Sequence, residues 1–109
     1  MGKYFTFVDR FLPIEFFEED PVKITVQIGD EMDAKIDATF AALKKPMAVA
    51  EKLSLLDGLI GADHATSITS RMEAVDGYAL DQVLLYLREA YLEGKVKNLQ
   101  AAKAGRKRK

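Results

Sequence analysis

The only histidine in the sequence has neighbours of the types found in nucleophilic sites. His64 follows Asp63, and Ser67 and Ser70 stand three and six residues further on. A serine nucleophile needs a base within hydrogen-bond reach and a third group that orients the base. Neither serine lies in a Gly-x-Ser-x-Gly motif, and polar helix surfaces often have this composition. The pattern therefore favours an exposed His64 over a catalytic triad.

A group of carboxylates near residue 20 is the second place where chemistry is conceivable. Glu15, Glu18, Glu19 and Asp20 could supply an acid–base pair or a calcium site. An EF-hand loop needs alternating Asp or Asn ligands, a central glycine and a closing Glu, and this spacing is missing. We interpret residues 18–20 as a solvated turn.

The remaining sequence excludes several enzyme classes. It contains no cysteine, which removes disulfides, thiolate metal sites and cysteine nucleophiles. A single histidine disfavours a transition-metal site, and no glycine-rich phosphate-binding motif occurs. We therefore predict a non-enzyme with no cofactor and no metal. An enzyme whose carboxylates converge only in the fold is the third alternative.

Charge divides the chain into two parts. Residues 1–94 hold nine basic and seventeen acidic side chains, whereas residues 95–109 hold seven basic ones and no acidic one. The net charge of −1 thus combines −8 and +7. We predict one globular domain over residues 1–94 and a flexible basic arm over residues 95–109. Its charge is concentrated at Lys103, Arg106, Lys107, Arg108 and Lys109.

The sequence predicts neither a signal peptide nor a membrane-spanning segment. Asp9, Arg10 and Glu15 interrupt any apolar segment of the type that signal peptides need, and no apolar run approaches the ~20 residues of a membrane span. The lack of cysteine is compatible with a reducing cytoplasm. We expect a cytoplasmic protein without membrane contact.

The N-terminal third predicts a small antiparallel sheet. Val22, Ile24, Val26 and Ile28 alternate with polar residues, so residues 22–28 form the clearest strand. Shorter extended pieces at 4–8 and 14–18 are its candidate partners. Residues 30–45 fit both a strand and a helix. Their alanines, a possible Asp30 cap and the stripe Met32, Ile36, Phe40 and Leu43 favour the helix.

Helices are predicted for the rest of the chain. The first runs from Pro46 to about Ile60, with Val49, Leu53, Leu56 and Ile60 inward and Gly61 as its stop. A short helix capped by Asp63 buries Ala65, Ile68, Met72 and Val75. After a turn at Asp76-Gly77, the last helix runs from Tyr78 to about Glu93, and residues 95–104 could extend it beyond Gly94. Its inward residues are Leu80, Val83, Leu84, Leu87 and Tyr91.

Two sets of apolar residues could bind a partner. Phe5, Phe7, Phe11, Phe16 and Phe17 belong to a segment with most of the aromatic residues, which either closes the core of the sheet or docks a partner. Leu85, Tyr86 and Leu92 lie off the inward stripe of the last helix. Such a helix is either central in its bundle or part of an oligomer interface.

Residues 46–93 resemble a known family in the order and spacing of their helices. A helical segment from Pro46 to Gly61 is followed by a short helix to Val75 and by the segment Asp76–Tyr91, with a basic low-complexity tail behind it. This order resembles the tail assembly chaperones of long-tailed bacteriophages. The resemblance implies a small, mostly helical, non-enzymatic protein that binds tape measure and tail tube proteins. If it holds, the cytoplasm is that of the host cell.

Together these patterns predict an α+β, mostly helical fold. An N-terminal antiparallel hairpin would pack on three to four helices, with a disordered basic C-terminal tail. The predicted function is protein binding, as an assembly chaperone or scaffold, with a homo-oligomer as a further possibility. The alternative is a small protein that binds nucleic acid non-specifically, through phosphate contacts of the tail.

Overall fold

Between residues 11 and 107 the chain forms two strands followed by four helices. A computed structural model describes the backbone of residues 11–107 and the side chains of residues 11–98. The elements are β1 (Phe11–Phe16), β2 (Val22–Gln27), α1 (Asp30–Ala42), α2 (Val49–Ile60), α3 (Ala62–Thr69) and α4 (Gly77–Lys107). The prediction of an α+β, mostly helical fold with an N-terminal antiparallel hairpin is confirmed. The extended piece expected at residues 4–8 lies outside the described residues.

The hairpin has one apolar and one exposed face. Ile14 pairs with Ile24 across the two strands, and Phe16 pairs with Val22. Because side chains alternate along a strand, these apolar residues all face the helices. β1 ends at Phe16 because Phe17 adopts a φ of 73° and begins the turn. A two-stranded sheet is marginal alone, so the helices must supply most of its stability.

Residues 30–42 form a helix, as predicted, and not a second hairpin. Ile36 is buried in the core, and Met32, Phe40 and Leu43 pack against it. The cap expected at Asp30 is wrong, since Gly29 holds the N-cap position. Asp30 lies instead in the first turn, where the helix dipole favours a carboxylate.

A single glycine separates α2 from α3. Gly61 has a φ of 90°, which side chains rarely adopt, so it ends α2 as predicted. It also holds the N-cap position of α3, and the predicted cap at Asp63 is therefore wrong.

The inward residues predicted for α2 and α3 need two corrections. Val49 is exposed because α2 begins there and not at Pro46; residues 43–48 are needed to reverse the chain after α1. Val75 is exposed because α3 has already ended at Thr69. Leu59, which the pattern missed, is buried.

The last helix includes the possible extension beyond Gly94. The Asp76 carboxylate accepts a hydrogen bond from the Ala79 backbone N–H at 2.8 Å and so caps α4. The helix passes through Gly94 without a break and continues to Lys107. A Cβ at position 94 would lie 2.5 Å from Leu12 Cδ1. The glycine therefore permits the close approach of β1 and does not end the helix.

The basic arm predicted for residues 95–109 begins inside α4. Residues 105–107 were expected to be disordered, whereas their described backbone is helical. The alanine and lysine content of this stretch favours a helix, which explains the difference. Arg108 and Lys109 lie outside the described residues, and the flexibility of the arm stays a prediction.

The core lies between the inner face of the hairpin and the helices. Its most deeply buried side chains come from three helices: Leu56, Ile68, Leu80, Leu84, Leu87 and Tyr91. The four from α4 match the predicted stripe. The molecule measures 51 × 32 × 19 Å, and α4, at about 46 Å for its 31 residues, spans most of the longest dimension.

Candidate functional site

The structure does not assemble a nucleophilic site around His64. His64 is exposed on α3. The Ser67 hydroxyl donates to the Asp63 carbonyl at 3.0 Å, and the Ser70 hydroxyl donates to the Ser67 carbonyl at 3.1 Å. Both hydroxyls are thus engaged with the backbone of their own helix. This geometry gives a polar helix surface.

The backbone of the acidic turn, residues 18–20, accepts hydrogen bonds from an arginine. The Arg71 guanidinium donates to the carbonyl of Glu19 at 2.8 Å and to the carbonyl of Asp20. It also lies 4.7 Å from the centre of the Phe17 ring, within cation–π range. The carboxylates of the turn point to solvent, and the described residues include no group of three or more side chains placed to hold a metal.

The described aromatic residues of the N-terminal segment, Phe11, Phe16 and Phe17, do not form one surface. Phe16 is 5% exposed and packs in the core, in agreement with the alternative that these rings close the core of the sheet. The ring of Phe17 lies beneath the Arg71 guanidinium. Phe11 lies on the outer side of the hairpin, with 54% of its surface exposed. Phe5 and Phe7 lie outside the described residues.

Tyr86 faces the hairpin and not the same side as Leu85 and Leu92. Its ring meets Phe16 edge-on, with the centroids 5.0 Å apart. Its hydroxyl donates to the Glu15 carbonyl at 2.6 Å. Six residues of α-helix turn through about 600°, which puts Tyr86 and Leu92 about 120° apart around the axis. The three residues predicted as one surface are therefore divided between two sides of α4.

An apolar stripe runs along the outer side of α4. We call it the apolar column and define it as Tyr78, Leu85, Leu92 and Val96. Tyr78, Leu85 and Leu92 are spaced seven residues apart, and Val96 follows one turn after Leu92. Tyr78 is 75% exposed, Leu92 is 47% exposed and Leu85 is half-buried. Tyr78 and Val96 were missed by the sequence analysis, although the seven-residue spacing was present to find them.

A second stripe with the same spacing ties α4 to α1 and α2. We call Asp81, Arg88 and Lys95 the polar column. The Lys52 ammonium of α2 lies 2.8 Å from Asp81 Oδ1 and also donates to the Gly77 carbonyl at 3.4 Å. The Arg88 guanidinium lies 4.3 Å from the centre of the Phe40 ring of α1. Each member of this column thus contacts a neighbouring helix.

Lys95 completes a partly buried hydrogen-bonded cluster at the start of α1. It donates to Asp33 Oδ2 at 2.6 Å, while the Tyr91 hydroxyl donates to Asp33 Oδ1 at 2.7 Å. The Gly29 N–H donates to the Tyr91 oxygen at 3.2 Å. Because the hydroxyl has one hydrogen, the shorter contact with the charged carboxylate takes precedence over the Gly29 carbonyl at 3.2 Å.

These contacts shift the pKa values of Asp33 and Tyr91. The hydrogen bond from Lys95 lowers the pKa of Asp33, and the bond from Tyr91 adds to the effect. Burial raises the pKa of Tyr91 to about 12, and the adjacent Asp33 carboxylate acts in the same direction. The cluster is therefore a charged carboxylate held by a neutral phenol and an ammonium at neutral pH. The cluster links α1 to α4.

The predicted basic tail is only partly described. Lys103, Arg106 and Lys107 lie on the described helical backbone of α4. They share a stretch, residues 95–107, that has five basic residues and no acidic one. None of the helices in the described part of the chain has the length and apolar content to cross a membrane.

Comparison of the chain with protein families, with characterised proteins and with solved structures gives no match. The resemblance to phage tail assembly chaperones stays a prediction.

Proposed function

We propose that this protein is a non-enzymatic protein-binding module of the cytoplasm, an assembly chaperone or scaffold that binds through the apolar column of α4. The observation that carries the proposal is the exposure of large apolar side chains in a regular stripe along one helix. Tyr78, Leu92 and Val96 are each about half exposed or more. Exposed apolar residues arranged in this way are typical of surfaces that bind another helix.

The rigid setting of the column supports the proposal. The polar column on one side and the contact of Tyr86 with the hairpin on the other fix the rotation of α4 about its axis. The apolar column is therefore presented to solvent without a rearrangement of the core. Binding by a pre-organised surface avoids part of the entropy cost of association.

The phage resemblance supports the same class of function. Tail assembly chaperones bind other proteins of the assembly, and helix order and spacing over residues 46–93 are the basis of the likeness. Under this proposal the partner is a structural protein of a larger assembly, and the cytoplasm is that of the host cell.

A pull-down with matched variants tests the proposed surface. The tagged chain is co-expressed with the products of its neighbouring genes, as wild type, as Leu92→Ser/Val96→Ser and as Phe11→Ser. Phe11 is 54% exposed on the hairpin, so its replacement controls for the loss of an exposed apolar side chain elsewhere in the molecule. We expect the α4 variant to lose a bound protein that the Phe11 variant retains. If only the Phe11→Ser variant lost the bound protein, the binding site would lie on the hairpin, which would contradict the proposal.

The nucleic-acid alternative has one observation in its favour, the continuous basic stretch of α4 over residues 95–107. Replacing Lys103, Arg106, Lys107, Arg108 and Lys109 by glutamine leaves the Lys95–Asp33 contact intact. If phosphate contacts carry the function, this variant loses retention on nucleic acid at low salt, and wild-type binding weakens steeply with added salt. Unchanged binding would remove the alternative.

A further inference from the structure

The apolar column has a pattern that suits pairing with an identical helix. Its members Tyr78, Leu85 and Leu92 repeat every seven residues, which is the spacing of helices that pack at a shallow angle. A seven-residue repeat keeps the stripe facing one partner along its length. The next position in this repeat is residue 99, still within α4. The column therefore extends over both halves of the helix.

Charge sets the direction of such a pairing. Residues 77–94 of α4 contain three acidic residues and one basic residue, whereas residues 95–107 contain five basic residues and no acidic one. Parallel helices would place the two basic halves side by side. An antiparallel pair places each basic half against the acidic half of the other copy, and like charges are kept apart.

Carboxylates just before the start of α4 also favour the antiparallel orientation. Glu73 and Asp76 precede α4, and both are exposed. In a fully overlapped antiparallel pair, the basic end of one α4 lies beside these carboxylates of the other copy. The body over residues 1–94 has a net charge of −8, and residues 95–109 have +7, so the match holds for whole molecules as well as for the helix.

Charge also sets the register. The residues of α4 change from acidic to basic between Glu93 and Lys95, and Leu92 is the member of the seven-residue repeat nearest to this change. An antiparallel pair that sets the acidic part of each helix against the basic part of the other therefore puts Leu92 at the two-fold axis, facing its own copy. Tyr78 would lie opposite residue 106, about 42 Å from the second Tyr78.

We propose that two copies of this chain associate through their α4 helices, antiparallel, with Leu92 at the two-fold axis. The proposal rests on the proposed function, because it names a second copy as a partner of the apolar column. One pair of helices buries a narrow strip, which belongs with small, reversible interfaces below about 1,200 Å². The dimer therefore forms at micromolar concentrations and dissociates on dilution.

Single-cysteine variants test the register directly, because the chain contains no cysteine of its own. Leu92→Cys, Tyr78→Cys and Phe11→Cys are oxidised mildly at several concentrations and separated without reductant. A disulfide requires Cα atoms within about 7 Å, so only residues at the axis can join to their own copy. We expect Leu92→Cys to form dimers at least tenfold faster than Tyr78→Cys or the hairpin control.

Light scattering of the unmodified chain supplies the second measurement. The average mass should rise from one chain towards two with increasing concentration, and about 0.5 M salt should shift this rise to higher concentrations because exposed charge pairs are screened. Leu92→Ser should remain monomeric. Its far-UV circular dichroism should match wild type, since Leu92 is half exposed and lies outside the core.

Two outcomes would overturn the inference. Equal cross-linking of Tyr78→Cys and Leu92→Cys would indicate a parallel pair, and a strict monomer without preferred cross-linking at position 92 would indicate no pair. The chain could be monomeric while the Leu92→Ser/Val96→Ser variant still loses a bound protein in the pull-down. In that case the inferred dimer is wrong, and the proposed binding of another protein through the apolar column stands.

Discussion

The polar and apolar columns of α4 run side by side with the same seven-residue repeat, yet they meet different surroundings. Asp81, Arg88 and Lys95 contact other helices of the same chain. The apolar column is displaced from the polar column by a fraction of a helical turn. Its member Leu85 is half-buried and its member Leu92 is exposed. In a helix built only for its own fold, the apolar stripe would be expected to face the neighbours.

Under the proposed function, stability and binding depend on separate sides of one helix. The fully buried ridge of Leu80, Leu84, Leu87 and Tyr91 supplies the apolar packing that α4 needs. The polar column then orients the helix at modest energetic gain, since partly exposed ion pairs contribute little. The apolar column is therefore free to serve an interaction without loss of the fold.

The largest expected effect concerns the buried ridge. Leu84→Ala should lower the free energy of unfolding by about 3 kcal/mol, because a fully buried leucine leaves a cavity when it is truncated. Urea titration followed by circular dichroism measures the change. Loss below about 1 kcal/mol would contradict the assignment of stability to this ridge.

A smaller effect is expected from the hydroxyl of Tyr91. Tyr91→Phe keeps the ring but removes the donor to Asp33 and the acceptor for Gly29 N–H. Leaving these groups unpaired should cost about 1–2 kcal/mol. The same titration measures it, and Tyr86→Phe serves as control because its hydroxyl bonds to an exposed carbonyl instead.

The pH dependence of stability sharpens the role of this cluster. The raised pKa of Tyr91 gives a contribution that is complete below pH 10 and is lost as the pH rises through about 12. The lowered pKa of Asp33 gives a contribution that is present above pH 3.8 and is lost as the pH falls through the folded value. The stability difference between wild type and Tyr91→Phe should therefore shrink above pH 10. A constant difference up to pH 12 would argue against the hydrogen-bonded phenol.

The smallest effects compare one residue from each column. Asp81→Ala should destabilise the fold by about 0.5 kcal/mol or slightly more, because Lys52, whose side chain is only 13% exposed, loses its partner. Leu92→Ser should change the stability of the monomer by less than about 0.5 kcal/mol. Thermal unfolding at a concentration below association measures both. A larger loss for Leu92→Ser than for Asp81→Ala would show that the apolar column belongs to the fold.

Local patterns in the sequence predicted the elements better than their ends. The alternation over residues 22–28 and the stripe from Met32 to Leu43 identified β2 and α1, because burial on one side imposes a period. Gly94 lies inside α4, where glycine is unfavourable, and the close approach of Leu12, which is distant in sequence, explains that glycine. No local rule could indicate this contact.

The candidate site was predicted only in part, for the same reason. Leu85 and Leu92 were identified as lying off the inward stripe, but Tyr86 was grouped with them because its contact with Glu15 spans 71 residues of sequence. The polar column was missed since its partners Lys52, Phe40 and Asp33 lie on other helices. Helical spacing shows which residues share a side, and only the fold shows what that side meets.

The seating of Leu12 against Gly94 has a consequence for the order of events during synthesis. The hairpin is completed when residue 27 has been made, but the helix surface that covers it ends near residue 94. At about 5–20 residues per second, the ribosome needs roughly 3–13 seconds to add that stretch. During this interval the inner side of β1 remains without the surface of α4 that covers it. The nascent chain is thus most prone to aggregation before its last helix emerges, and slower translation of residues 28–94 would lengthen that period.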